Sequence, residues 1–468
     1  MRKMILLGAI ILISFQVSGY DINVSVFYYP WYDTNRHWGE GYLREYLKPA
    51  QPPMLGHYSN RDTDLIDQHI EWSESYGIDT WICSWWGPSC WEQRTIKESI
   101  ASALEGSNVT FCLYYESAGL LNMTQGQINF DESRSSRFRN HIKFIAEQFF
   151  EHPSYHRING RPVLYLYLTR TFRGNYAEAI SGLRQDMRDM GYDIFLIGDE
   201  VYWGSPNSTR IKTLDAIFAY NMHGPHEYDG YPSQTHFLRN VETKYKSYSR
   251  IAERYDVHFI PKIMPGFNDR GVRLNADHYI IPSRVHPDSS HTSTFTHYID
   301  LALPLVDPEI KTVCVTSFNE WHEDTQIEPT IRVQPTNQDI SGQQTYTQGN
   351  HYTGYGEDYL QIIKDRFGAE NVGIQHTIPT TPDLRVRHYP NPFNQSITIE
   401  YTLTNPATIQ LDIYNTKGTL VFSSNLGRRE KGAHYYHCNL DNRTSGLYFY
   451  RIRTRYGKSR TGKITFLK

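Results

Sequence analysis

Eight short apolar or aromatic runs, each giving way to a polar loop and then to a stretch of helical periodicity, constrain this chain more than any other feature. They occupy 23–31, 77–86, 108–116, 162–168, 193–200, 216–222, 258–267 and 312–321, with helical periodicity between them at 62–76, 135–150, 176–190, 237–255 and 293–306. A strand followed by a helix can return only to a parallel neighbour, so the alternation predicts a parallel sheet with helices packed outside it. Eight such units over about 350 residues predict an α/β fold, a (β/α)₈ TIM barrel with insertions, and a doubly wound open sheet is the competing architecture.

Functional groups of such barrels gather at the C-terminal strand ends, and here those ends are polar and aromatic. The first run ends Tyr28-Tyr29-Pro30-Trp31-Tyr32 with His37-Trp38 soon after, the second Ser84-Trp85-Trp86, and the third Tyr114-Tyr115-Glu116. The fifth ends Asp199-Glu200, the sixth Tyr220-Asn221-Met222-His223 and the seventh Phe267-Asn268-Asp269-Arg270. The eighth opens into Thr316-Ser317-Phe318-Asn319-Glu320-Trp321-His322-Glu323, where two carboxylates stand three residues apart beside an aromatic ring and an amide. One carboxyl to give a proton, one to take it, and rings to carry a pyranose face are the components of sugar chemistry. Taken singly, each aromatic reads as core and each glutamate as a solvated charge. Their recurrence at one end of nearly every unit is what points to a cleft.

The chain is long enough for a barrel and an appendage, and its 36 Tyr and 9 Trp in 468 residues suit a sugar-binding cleft. Net charge is −3, yet from Leu384 onward fourteen Lys or Arg face four Asp or Glu, so the tail is near +10 and the remainder near −13. That shift follows a proline-bearing linker at 377–383, and beyond it strand-length runs at 397–403, 408–414, 419–423, 434–440, 447–453 and 460–467 predict a small all-β sandwich over 384–468. No array of aromatic and basic residues at a recognised spacing supports nucleic-acid binding. At the other end, Met1-Arg2-Lys3-Met4 precedes a short apolar run and Ser18-Gly19, which reads as a signal peptide over 1–19, with an uncleaved anchor as the competing reading. No later segment is apolar enough to span a membrane. Five cysteines without Cys-x-x-Cys spacing indicate neither a disulfide framework nor a zinc site, and a Cys83–Cys90 bridge stays open.

Over most of 20–368 the chain resembles glycoside hydrolase family 99, the endo-α-mannosidase and endo-α-mannanase family. The match lies in Thr316 to Glu328, in Tyr29-x-Trp31-Tyr32, His37-Trp38, Leu55-Gly56-His57-Tyr58-Ser59-x-Arg61-Asp62, Ser84-Trp85 and Pro265-Gly266-Phe267-x-Asp269. The resemblance implies a barrel over 20–376 that is a retaining endo-hydrolase of α-mannosidic or related α-glycan linkages, with no cofactor and no metal. Glu320 would act as a base on the substrate's 2-hydroxyl, giving a 1,2-anhydro sugar, and Glu323 as the acid with a raised pKa. Tyr29, His37, Trp38, Tyr58, Trp85, Glu116, Tyr220, Asn268, Asp269, Asn319 and His322 are the candidate substrate contacts. Two departures matter: the carboxylate after the third strand is displaced by two residues to Glu116, and the family's glycine after the second glutamate is Asp324, expected to add charge beside Glu323.

The tail resembles the C-terminal sorting domain of the type IX secretion system, in Tyr389-Pro390-Asn391-Pro392-Phe393-Asn394, Ile413-Tyr414-Asn415-x-x-Gly418 and Ser445-Gly446-Leu447-Tyr448. This implies export through outer-membrane secretion machinery to the cell surface or medium. A carbohydrate-binding or adhesion sandwich is the alternative for the tail. For the barrel the alternatives are a non-catalytic glycan-binding module and a metal-dependent hydrolase using His322, the latter lacking any recognised ligand spacing in the sequence.

Overall fold

The computed structural model describes residues 22–201, 206–221, 234–274, 280–368, 384–394, 396–403, 406–416, 419–440, 443–454 and 459–468. The expected signal segment, the linker, Met222, His223 and Gly418 lie outside the described residues.

Strands β1 (Asn23–Tyr28), β2 (Thr80–Trp85), β3 (Thr110–Tyr115), β4 (Arg161–Leu166), β5 (Phe195–Asp199) and β6 (Ala216–Phe218) pair in chain order, each parallel to the next. The seventh run is β7, in two pieces, His258–Phe259 and Lys262–Ile263, divided at Pro261. Its first piece pairs with β6 and its second with β8 (Thr312–Val315), which in turn pairs with β1, so the sheet closes on itself as a barrel. The open-sheet alternative is thereby excluded. Strands buried on both faces are written in largely apolar sequence, and the wholly buried Thr80–Trp85 and Thr312–Val315 show it, with Thr80, Ser84 and Thr312 as their polar members.

Helices follow each strand: α1 (Thr63–Tyr76), α2 (a helical run from Trp91–Thr95 through Ser102–Leu104), α3 (Glu132–Phe149), α4 (Tyr176–Asp189), α5 (Ser208–Ile211), α6 (Gln234–Arg254), α7 (Ser293–Ala302) and α8 (Asp358–Phe367). Their limits are set by local chemistry. The Asp62 side chain accepts from the Asp64 N–H at the start of α1, and Gly77 ends it in the left-handed conformation at φ 81°. In α3 the Asp131 carboxylate caps the Arg134 N–H, and Phe138, Ile142, Ile145 and Phe149 bury one face. The sequence periodicity missed α2, whose buried face opens on the polar Glu92, Gln93 and Thr95 before the apolar Ile96, Ile100 and Leu104. Among the described residues no helix is long and apolar enough to cross a membrane.

The tail is an all-β sandwich of two antiparallel sheets. One joins β9 (Leu384–Tyr389), β10 (Ser396–Leu403) and β13 (Gly432–Asn439), and the other orders β12 (Leu420–Arg429), β11 (Ala407–Asn415), β14 (Gly446–Thr454) and β15 (Ser459–Phe466). Alternation places Ile397, Ile399, Tyr401, Ile409, Leu411, Ile413, Ile452 and Ile464 in a core of their own. All five cysteines are free thiols; Cys83 is fully buried and the Cys90 thiol donates to the Gly87 carbonyl at 2.9 Å, so the Cys83–Cys90 bridge is not formed.

Candidate active site

Strand parity decides which side chains reach the barrel axis. On β1, Phe27 points inward and packs against Tyr114, Tyr165 and Phe218, while Tyr28 points outward, stacking on Trp81 and bonding His69 of α1. Continuing the inward parity past the strand ends gives Tyr29 and Trp31 after β1, Trp86 after β2, Glu116 after β3, Tyr167 after β4 and Tyr220 after β6. These residues, with His37, Glu40, Tyr114, Val272, Arg273, Glu320, His322 and Glu323, line a cleft of about 440 Å³. A second cavity of about 360 Å³ shares Tyr167, Tyr220, Arg273 and Glu323 with it and is lined further by Asp199, Lys262, Met264, Phe267, Asp269 and Thr316.

The acidic stretch after β8 holds four carboxylates, and the fold sorts them into two pairs. Glu328 is fully buried and receives the Trp321 indole N–H and the Tyr58 hydroxyl, each at 2.7 Å, with His69 Nε2 at 3.2 Å. Asp324 is buried against the Arg44 guanidinium at 2.5 Å. Those two anchor the loop. Trp321, held by Glu328, is therefore a core residue. Glu320 and Glu323 face the cleft instead, at the two ends of a single 3-10 turn, Trp321–Glu323, which Glu320 caps by accepting from the His322 N–H at 3.0 Å.

Their electrostatic settings differ. Burial and the Glu320 charge push Glu323 up to about 7, and Arg273, 3.1 Å away, partly offsets them. Glu320 lies 3.3 Å from His322 Nδ1; burial acts to lower the histidine's pKa, but the hydrogen bond and charge of Glu320 prevail and raise it. The expectation that Asp324 would add charge beside Glu323 is corrected: Asp324 spends its charge on Arg44. Its backbone, at φ 51°, adopts the left-handed conformation that glycine favours and Asp tolerates, so the position's constraint is conformational.

Glu116 lines the cleft from its displaced position, because a two-residue shift preserves strand parity. Burial, then the Glu320, Asp199 and Glu323 charges, push it up to about 8, while the Ser84 hydroxyl donates to it at 2.7 Å. Tyr29 and Tyr220 also face the cleft, their hydroxyls 2.5 Å apart, as do His37 and His322, whose Nε2 donates to the His37 carbonyl at 3.1 Å. Asp269 lies in the second cavity, where Arg273 bonds it at 3.0 Å.

The remaining expected contacts sit in the cleft wall. Trp38 is buried between Tyr32 and His57 and donates to the Tyr58 carbonyl, and Tyr58 itself is bonded to Glu328. Trp85 faces outward, stacked on Tyr115 with its N–H on Gln93 at 2.5 Å. Asn319 bonds both the N–H and the carbonyl of Tyr29, fastening β8 to β1, and Asn268 bonds Tyr352 while its N–H reaches the Glu323 carbonyl. Trp38, Tyr58, Trp85, Asn268 and Asn319 thus line neither of the two cavities and are fastened in the wall around them. Sequence reasoning missed Trp86, which is 39% exposed in the cleft one residue after Trp85, along with Trp31, Arg273, Tyr167 and Lys262. Parity would have found Trp86. Burial pushes the Lys262 ammonium down to about 7 against the opposing pull of Glu323 and Asp199.

Comparison with known proteins accords with this geometry. The model of glycosyl hydrolase family 99 matches residues 42–353, and that of a secretion system C-terminal sorting domain matches 387–465. A glycoprotein endo-alpha-1,2-mannosidase of Xenopus laevis is 26% identical over 356 residues, covering 68% of this chain and 71% of its own; a human glycoprotein endo-alpha-1,2-mannosidase-like protein is 23% identical over 342 residues, covering 66% and 69%. Among solved structures, a GH99 endo-alpha-mannosidase of Bacteroides thetaiotaomicron superposes with a TM-score of 0.53 at 20% identity, covering 74% of this chain and 96% of that one, and a glycoside hydrolase-like protein with 0.58 at 21%, covering 75% and 94%. With the family match spanning the barrel from the loop after β1 to the segment beyond β8, the chain belongs to glycosyl hydrolase family 99.

Proposed function

We propose that this glycoside hydrolase cleaves α-mannosidic or related α-glycan linkages internally and with retention, using Glu320 and Glu323. One observation supports the pairing above all: Glu320 and Glu323 face the cleft from the two ends of a single 3-10 turn, and burial with the Glu320 charge pushes Glu323 up to about 7. A carboxyl about half protonated near neutrality can donate to a leaving oxygen, which an ordinary glutamate, almost wholly ionised there, cannot.

In the proposed sequence Glu320 takes the proton of the substrate's 2-hydroxyl as that oxygen bonds to the anomeric carbon. The bond to the leaving oxygen breaks, and Glu323 protonates it. Water then attacks the anomeric carbon of the 1,2-anhydro sugar, giving its proton to Glu323 while Glu320 returns one to the 2-oxygen, and the two inversions restore the configuration. Glu116, largely protonated at neutral pH, donates to a sugar hydroxyl. Tyr29, His37, Tyr220 and His322 contact the sugar rings, with Trp31 and Trp86 stacking on them.

The sorting domain supports export to the cell surface or medium after removal of a signal peptide over 1–19, with the barrel at 20–376 as the exported unit and 384–468 as the segment read by the secretion machinery. The deciding experiment is oligosaccharide release from a panel of α-mannans and other α-glycans, in chelator, by wild type, Glu320→Gln and Glu323→Gln, with the first-formed anomer read by NMR. Release of the α-anomer by the wild type alone is expected. Equal release by the variants refutes the assignment, a β-anomer refutes retention, and glycan binding without release turns the barrel into a binding module.

A further inference from the structure

Among the described residues, one group of side chains outside the catalytic pair has the donors of a metal site. His37, Glu40 and His322 each offer a ligand atom, and the three atoms lie within 4.8 Å of one another. No sequence spacing announces the set, because His37 and Glu40 follow β1 while His322 follows β8. Barrel closure, which pairs β1 with β8, brings them together. The arrangement is held in place: His37 has φ 65°, the next residue, Trp38, is locked into the core, and His322 Nε2 bonds the His37 carbonyl at 3.1 Å. His37 Nδ1 is 3.2 Å from the Glu40 carboxylate, whose side chain is 59% exposed and free to swing onto an ion.

Two imidazoles and a carboxylate are the protein ligands of open zinc sites, which leave a position for water or another ligand. Imidazole donors disfavour magnesium and calcium. Behind the set, Glu320 stands 3.3 Å from His322 Nδ1, the place of the outer carboxylate that orients a metal-binding histidine. We propose that His37, Glu40 and His322 bind a divalent cation of the zinc class at the mouth of the cleft, and that the bound ion inhibits by standing where the glycan enters. To coordinate, His322 Nε2 exchanges the His37 carbonyl for the ion while Nδ1–H stays on Glu320. Trp31, stacked on His37 at 4.8 Å, borders the same opening. Only the inhibitory role rests on the glycosidase reading.

Isothermal titration of the chelator-treated full chain with Zn²⁺ tests binding without any activity. Wild type is expected to take up one tight equivalent that His37→Ala and Glu40→Gln both lack, and Glu320→Gln to bind it about 10–100-fold more weakly. The chain's 20 histidines supply background sites, so the difference between proteins is the readout. Glu40 is exposed, so Glu40→Gln keeps the test interpretable even if His37→Ala misfolds by circular dichroism. Uptake by Glu40→Gln equal to wild type, or no tight uptake by wild type, overturns the site. Zinc is further expected to suppress glycan release reversibly in wild type and not in Glu40→Gln; tight binding without suppression overturns the inhibitory role alone.

Discussion

Glu116→Gln isolates the cost of keeping a carboxyl in the cleft wall. Glu116 is 5% exposed, and burial with its acidic neighbours moves its pKa from 4.5 to about 8. The folded protein therefore binds this proton more tightly than the unfolded chain, and stability falls as pH rises from about 4.5 to about 8. At about 1.4 kcal/mol per pKa unit the full penalty is about 5 kcal/mol, of which about 3.5 kcal/mol develops between pH ~5 and pH ~8. Glutamine keeps the acceptor that Ser84 bonds and removes the titration, so the variant gains stability relative to wild type by about that amount across the interval. Urea unfolding followed by tryptophan fluorescence measures it, because all nine tryptophans precede residue 322 and report on the barrel alone. Parallel pH dependences for the two proteins refute the burial argument.

Three further outcomes follow from named contacts. Activity requiring protonated Glu323 falls as pH rises through about 7, and Arg273→Met, by removing the cation that holds the pKa down, moves that limb to higher pH; an unmoved limb refutes the coupling. Trp85→Ala costs about 3–5 kcal/mol of stability in a urea titration, whereas Trp86→Ala leaves stability nearly intact and weakens glycan binding by calorimetry; reversed effects would contradict the parity assignment. Arg44→Met takes the cation from buried Asp324 and leaves it only the Gln326 amide, costing about 3–5 kcal/mol, and Arg44→Met with Asp324→Gly recovers the part that Asp324 carries.

The barrel was legible because its strands are almost wholly buried and are written as largely apolar runs, and because stretches of helical periodicity separate them. The sandwich was legible from its alternation. Glu320 and Glu323 stood out because one short loop supplies both. Helix α2 was not legible, since packing against the barrel overrides its weak periodicity. Nor could local sequence separate Trp85 from Trp86, or Glu323 from Asp324: each pair is adjacent, and one member faces the cleft while the other serves the wall. Residue types and their order on the strands thus determined the architecture and the kind of chemistry available. Only closure of the sheet, joining β8 to β1, decided which carboxylates meet a cation and which meet each other, because charge settings depend on through-space neighbours that lie hundreds of residues apart, as Arg44 and Asp324 do.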